Sequence, residues 1–88
     1  MDGITESAGR ILLNVLDQLR VPPEKAVRFR ANEGTGELII DVQDPADIAF
    51  EHGGRTVLIV DPDSSRGVDD RRLDYRDESG FCLVLSEG

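Results

Sequence analysis

Apolar residues near the start of the chain recur at three- and four-residue steps: Ile4, Ala8, Ile11, Leu12, Val15, Leu16 and Leu19. That spacing gathers them on one face of an α-helix. Glu6, Arg10, Asn14, Asp17 and Gln18 fall mostly on the other side. Thr5 fits the N-cap, because its hydroxyl can accept a bond from a free N–H of the first turn. Pro22-Pro23 marks the expected end, since proline removes donors and turns the preceding residue away from the α region. So wide a stripe suits a helix lying over a sheet. A membrane-surface helix would be rich in Lys and Arg along its polar face, and this one is not.

Beyond the prolines the period falls to two. Val27 and Phe29 alternate with Arg28 and Arg30, which predicts a half-exposed strand. Asn32-Glu33-Gly34-Thr35-Gly36 reads as a turn, and Glu37 to Val42 as a second strand completing a hairpin. Asp44-Pro45 breaks that run. Ile48 to Glu51 predicts a short strand, His52-Gly53-Gly54 a tight turn, and Arg55 to Val60 the next strand. Thr56 to Val60 is almost all apolar and β-branched, the pattern of a central strand. Asp61 to Gly67 leaves the sheet with room for one helical turn capped by Asp63 or Ser64. Arg72 to Tyr75 and Gly80 to Leu85 predict a last strand pair, joined through Asp77-Glu78-Ser79. One helix followed by strands with hairpin-length loops indicates an α+β fold: an amphipathic N-terminal helix packed on short, mostly antiparallel β-strands.

Length and charge narrow the function classes. Eighty-eight residues make a single domain, 1–88, burying roughly 60–65% of the surface its unfolded chain exposes. No apolar run approaches the ~20 residues of a membrane helix, and Met1-Asp2-Gly3-Ile4 shows neither a basic nor an apolar leader segment. A single cysteine, Cys82, excludes an internal disulfide, so a reducing, cytoplasmic setting is expected. The formal charge of −8 opposes nucleic-acid binding, which draws on Lys and Arg neutralising phosphates. It favours basic protein partners, or serves only to keep the domain in solution.

The side chains offer little catalytic chemistry. A reactive Cys82 would need a nearby cation or helix N-terminus, but its neighbours are Phe81, Leu83 and Val84. Alternation sets Phe81, Leu83 and Leu85 on one face and Cys82 and Val84 on the other. Asp61-Pro62-Asp63-Ser64-Ser65 opens like a calcium loop, yet Arg66 and Arg72 stand where that loop needs glycine and glutamate. His52, the only histidine, precedes two glycines and reads as an exposed turn residue. No nucleophile-elbow sequence joins it to Ser64 in a triad. Gly34-Thr35-Gly36 lacks the Gly-Lys-Ser/Thr continuation of a phosphate loop. The expectation is therefore no enzyme, no metal and no cofactor.

Several segments together resemble a known family. Phe50-Glu51-His52-Gly53-Gly54, then Val57 to Ser64, Leu73-Asp74-Tyr75 and Gly80-Phe81 are similar to the A-type iron–sulfur carriers, the HesB/IscA-like family. Ile4-Thr5-Glu6-Ser7-Ala8 with its helix, and the Val27–Phe29 strand, extend the resemblance over Ile4 to Leu85. It implies a HesB-like fold and a role in iron–sulfur cluster assembly. It also implies cysteines that are missing here. The family's cysteine loop has its counterpart at Gly34, Thr35 and Gly36, with no cysteine, and the Cys-Gly-Cys tail is replaced by Ser86-Glu87-Gly88. Clusters are held by about four thiolates, and Cys82 stands at none of the family's positions. The expected function is thus a non-catalytic, cysteine-less relative that does not bind a cluster alone. Its partners would be proteins, cluster-assembly proteins among them, or a second copy in a homodimer, but neither nucleic acid nor membrane. The competing expectation is a small acidic interaction or regulatory module unrelated to metal.

Overall fold

The computed structural model describes residues 1–32 and 35–86. A two-residue strand, β1 (Gly3–Ile4), leads directly into the helix α1 (Glu6–Gln18). Thr5 caps α1 as its sequence predicts, its hydroxyl accepting the Ala8 N–H at 3.2 Å. The same hydroxyl donates to Oδ1 of Asp74 at 2.6 Å, fastening the helix start to a distant strand.

The helix end differs from expectation. Leu19 is the C-cap and Arg20 takes a left-handed φ of 54°. The Arg20 N–H donates to the Asp17 carbonyl at 3.2 Å and the Val21 N–H to that of Leu16 at 2.9 Å. This pair of bonds is a Schellman closure, so α1 stops before Pro22-Pro23 act on it. Nη2 of Arg55 then donates to the Val21 and Pro22 carbonyls at 2.8 and 3.0 Å, holding the departing loop. The apolar stripe is also only partly used. Ala8, Gly9, Leu12 and Leu16 are buried, whereas Ile11 and Val15 are half-buried and Leu19 is 63% exposed.

The strands form two sheets. β2 (Lys25–Asn32), β3 (Thr35–Val42), β4 (Ile48–His52) and β5 (Arg55–Val60) are ordered β3-β2-β5-β4. β6 (Arg71–Arg76) and β7 (Gly80–Leu85) join β1 in the order β1-β6-β7. The three expected hairpins, β2–β3, β4–β5 and β6–β7, are antiparallel. Both sheets are nevertheless mixed, because β2 runs parallel to β5 and β1 parallel to β6. The expected turn at 32–36 is shorter than its composition suggests. Asn32 pairs with Thr35 and Ala31 with Gly36, so Gly36 lies within a strand.

β5 is interior, as its apolar run predicts, and Val57 to Val60 are fully buried. Phe50 pairs with Leu58 and Glu51 with Thr56, which leaves Val57 as the extra residue of a β-bulge. The bulge lets Val57 and Leu58 both enter the core with Val27, Phe29 and Leu73 beneath α1. Gly53 and Gly54 take φ of 62° and 80°, the two positive values that a two-residue hairpin turn requires. A short helix, α2 (Pro62–Gly67), follows β5. Its cap is Asp61, which accepts the Ser64 N–H at 3.1 Å, and not Asp63 or Ser64. Ser64 is free to accept the Ala31 N–H at 3.2 Å instead, tying α2 to the end of β2.

Arg28 corrects the half-exposed reading of β2. On the face away from α1 it is buried, 8% exposed. Nη1 and Nη2 donate to the two oxygens of Asp47 at 2.8 and 2.6 Å, and Nε donates to Asp41 at 2.8 Å. Asp47 also accepts the Asp44 N–H at 2.7 Å, so the segment after β3 folds back over this face. Arg30, two residues on, stays exposed as alternation predicts.

Candidate functional site

The two sheets meet on one side at their free edges. β3 ends the four-stranded sheet and β7 ends the three-stranded one. Between them lies a cavity of about 390 Å³, walled by Gly36 and Leu38 of β3 and by Phe81, Cys82 and Leu83 of β7. Phe29 of β2 and Leu73 of β6, one strand further in on each side, complete its lining. A second hollow of about 230 Å³ shares Leu38 and Phe81 with it and runs on beneath Val15 of α1, the C-cap Leu19 and Ile40 of β3. The unused edge of the helix stripe thus faces the same seam. Leu19 and Ile40 are among the large apolar side chains that remain exposed.

Residue chemistry explains why the seam stays open. A Cβ built on Gly36 would lie 2.6 Å from Cε1 of Phe29. Glycine there lets the Phe29 ring pack against the β3 backbone, and no side chain fills the space above. On the β7 side, Tyr75 and Phe81 stand opposite each other with ring centroids 5.0 Å apart in an edge-to-face contact. That pair fixes Phe81, and by alternation Leu83, on the core face. Cys82 pairs in register with Asp74. Alternation therefore turns its side chain to the opposite face, and it is half-buried there. The core face is the one carrying Phe81 and Leu83.

Of the residues singled out by sequence, Gly34 lies outside the described residues, Thr35 opens β3, and Gly36 and Cys82 both border the seam cavity. His52 is not an exposed turn residue. Its ring lies against α1, so close that a Cβ on Gly9 would fall 2.6 Å from Nδ1. Ser64 is engaged by Ala31, and Asp61 caps α2. Among the described residues, no three of His, Cys, Asp or Glu are grouped to hold a metal ion.

Electrostatic perturbation is concentrated away from the seam. Hydrogen bonds from Arg28 hold the Asp47 carboxyl below the usual range, and the Asp47 bonds raise the Arg28 guanidinium in return. A hydrogen bond from Thr5 lowers Asp74, and one from Ser64 lowers Asp61. Each of these carboxylates is partnered within the fold, and those contacts account for the shifts. A separate open hollow of about 520 Å³ is lined by Arg28, Arg30, Asp41, Asp61, Asp63 and Ser64. Arg28, Asp61 and Ser64 there are already spent on the fold. Sequence reasoning missed the Arg28–Asp47 pair, since Arg28 occupies an alternating position of β2 just as the exposed Arg30 does. It also missed the seam, whose walls lie far apart along the chain.

No helix of the described residues is long and apolar enough to cross a membrane. Comparison of the sequence with protein-family models and with curated proteins found no match.

Proposed function

We propose that the chain is a non-catalytic, cysteine-less relative of the A-type iron–sulfur carriers on a HesB-like scaffold, working in the cytoplasm by binding another protein. The observation that carries this reading is the make-up of the seam. Gly36, in the counterpart of the family's cysteine loop, and the final strand border one cavity, and that cavity is apolar. Of the atoms that hold clusters, its lining includes only those of Cys82, on a residue whose side chain alternation turns away. The segments carrying the resemblance also support one another physically. Thr5 donates to Asp74, Tyr75 meets Phe81 edge to face, and Ser64 holds Ala31 beside the loop counterpart.

Anaerobic reconstitution with iron and sulfide, read by visible absorption, tests the loss of cluster binding. The expected spectrum of the purified protein is featureless after desalting. A stable, stoichiometric chromophore would overturn the reading. Affinity capture then separates it from the second reading, an acidic interaction module unrelated to metal, which the exposed Asp77 and Glu78 in the turn before β7 favour. Recovery of cluster-assembly proteins supports the carrier-relative reading. Recovery of unrelated basic proteins alone supports the module.

A further inference from the structure

Three of the five large apolar side chains that stay exposed among the described residues gather at one strand edge: Leu19, Ile40 and Val42. Leu19 and Ile40 line the same hollow beside α1, and Val42 follows Ile40 on the same face of β3. The backbone directions of this edge follow from its pairing. The Gln43 N–H donates to the Glu24 carbonyl at 3.2 Å, and the β2–β3 register sets these two residues opposite each other. Opposite residues of an antiparallel ladder alternate between bonded and unbonded pairs. Asp41, Ile39 and Glu37 therefore bond to β2, while Leu38, Ile40 and Val42 turn their N–H and C=O groups outward. The Val42 N–H accordingly donates to the carboxylate beside it, Oδ1 of Asp41, at 2.8 Å.

We propose that this edge is a two-fold interface, at which β3 of a second copy pairs antiparallel with β3 about an axis at Ile40. The two four-stranded sheets become one, and no role in iron–sulfur assembly is needed for it. Ile40 and its counterpart exchange both ladder bonds. Each Leu38 N–H donates to the Val42 carbonyl across the axis, which leaves the bond from Val42 to Asp41 undisturbed.

Packing and charge select that register. With the axis at Ile40, Ile40 meets Ile40 and Leu38 meets Val42, so apolar side chains meet only one another on this face. On the other face Ile39 meets Asp41 and Glu37 meets Gln43. An axis at Ile39 would set Glu37 against Asp41, and one at Asp41 would set that carboxylate against itself. Like charges directly opposite are destabilising. An axis at Leu38 carries Val42 beyond the start of the facing strand, and one at Val42 runs past the end of β3.

The same self-match selects a second copy as the occupant. It brings Leu19, Ile40 and Val42 to cover Leu19, Ile40 and Val42, as an isologous contact requires. The carboxylates of β3 do not oppose the approach, because arginines of β2 already face them. Asp41 accepts from Nε of Arg28 at 2.8 Å, and Glu37 lies 3.6 Å from Arg30. The net charge of −8 on each copy then repels at longer range, where salt screens it.

Sedimentation velocity and ¹⁵N spectra over about 10 µM to 1 mM protein test the pairing. The mass is expected to rise with concentration from 9.7 kDa towards twice that value, while the Leu38 and Ile40 amides shift and gain exchange protection. Association should tighten several-fold between about 0.05 and 0.5 M salt. Ile40→Lys sets two cations against each other on the axis and should weaken association at least tenfold while the spectrum stays folded. Leu19→Lys, at a 63% exposed position, should weaken it several-fold. Leu85→Lys, on the edge strand β7, should leave it unchanged. A single 9.7 kDa species at about 1 mM protein in high salt overturns the proposal. So does a dimer that survives both Ile40→Lys and Leu19→Lys, or one that Leu85→Lys abolishes. None of these failures alters the reconstitution result, which decides the carrier-relative reading separately.

Discussion

Removing the Asp47 carboxylate should be the most damaging single polar change outside the core. Both of its oxygens are used: Oδ1 accepts from Nη1 of Arg28, and Oδ2 accepts from Nη2 and from the Asp44 N–H. Its side chain is 3% exposed and that of Arg28 is 9% exposed, so water does not replace the lost acceptor. Leaving a buried charge without its partner costs about 3–5 kcal/mol. Asp41, 42% exposed, would still accept from Nε, which places Asp47→Ala at the lower end, about 3 kcal/mol. The stability of an 88-residue domain is of order 4–13 kcal/mol at ~0.05–0.15 kcal/mol per residue. The midpoint of thermal unfolding should therefore fall by about 12–24 °C. Replacing both partners at once, Arg28→Met with Asp47→Ala, removes the orphan charge and should recover most of the loss. Urea unfolding followed by circular dichroism, run as a double-mutant cycle, measures the coupling. A single-mutant cost below about 1 kcal/mol, or a double mutant as unstable as the sum of the singles, would refute the account.

Three further outcomes follow from the same physics. The Asp47 and Asp61 carboxyls are depressed in the folded state, so their stabilisation is complete above the unfolded value near ~4 and drains as pH falls through the lower folded value. The urea midpoint should change little for these groups between pH 7 and 5 and decline below about pH 4, less steeply in Asp47→Ala. Gly9→Ala gains about 1 kcal/mol of helix propensity but drives a methyl into the His52 ring, an overpacking worth about 1–3 kcal/mol. It should destabilise the parent and stabilise a His52→Ala background, and the same sign in both would refute the contact. Arg20→Gly relieves a left-handed residue at the end of α1, where the ~1–2 kcal/mol of strain outweighs added chain entropy of ~0.4–1 kcal/mol. A net gain of about 0.5–1 kcal/mol is expected in the same urea assay.

What the sequence disclosed was local. Thr5 as a cap, the three hairpins and the Gly53-Gly54 turn each depend on residues within a few positions of one another, and each is present. The misses share the opposite property. The parallel pairing of β2 with β5, and of β1 with β6, joins segments that no turn chemistry connects. Arg28 looked like a solvent position because alternation says which face a residue takes and not what covers that face. Asp47, which covers it, sits in a stretch that read only as a strand breaker. The proline pair seemed to end α1 because proline is the louder signal, while a left-handed arginine leaves no trace in composition. Gly36 and Cys82 had been marked for separate reasons, a missing ligand and a lone thiol. Their meeting across the seam is a product of two sheet edges, which one-dimensional patterning does not contain.

The bond from Thr5 to Asp74 spans 69 residues, and β1 finds its partner only on β6. A growing chain therefore makes its first helix long before the strand that anchors it exists. Until Leu73 emerges, α1 has only the four-stranded sheet to rest on, and the N-terminal residues have no ladder at all. Contacts of such long range are slow to form because the loop must close before they yield anything. The β2–β3 hairpin should thus gain amide protection first in pulse-labelled refolding, with Asp2 and Thr5, whose N–H groups donate to Arg71 and Leu73, protected together and last. The seam gains its second wall at that same late stage, because β7 follows every other strand in the chain.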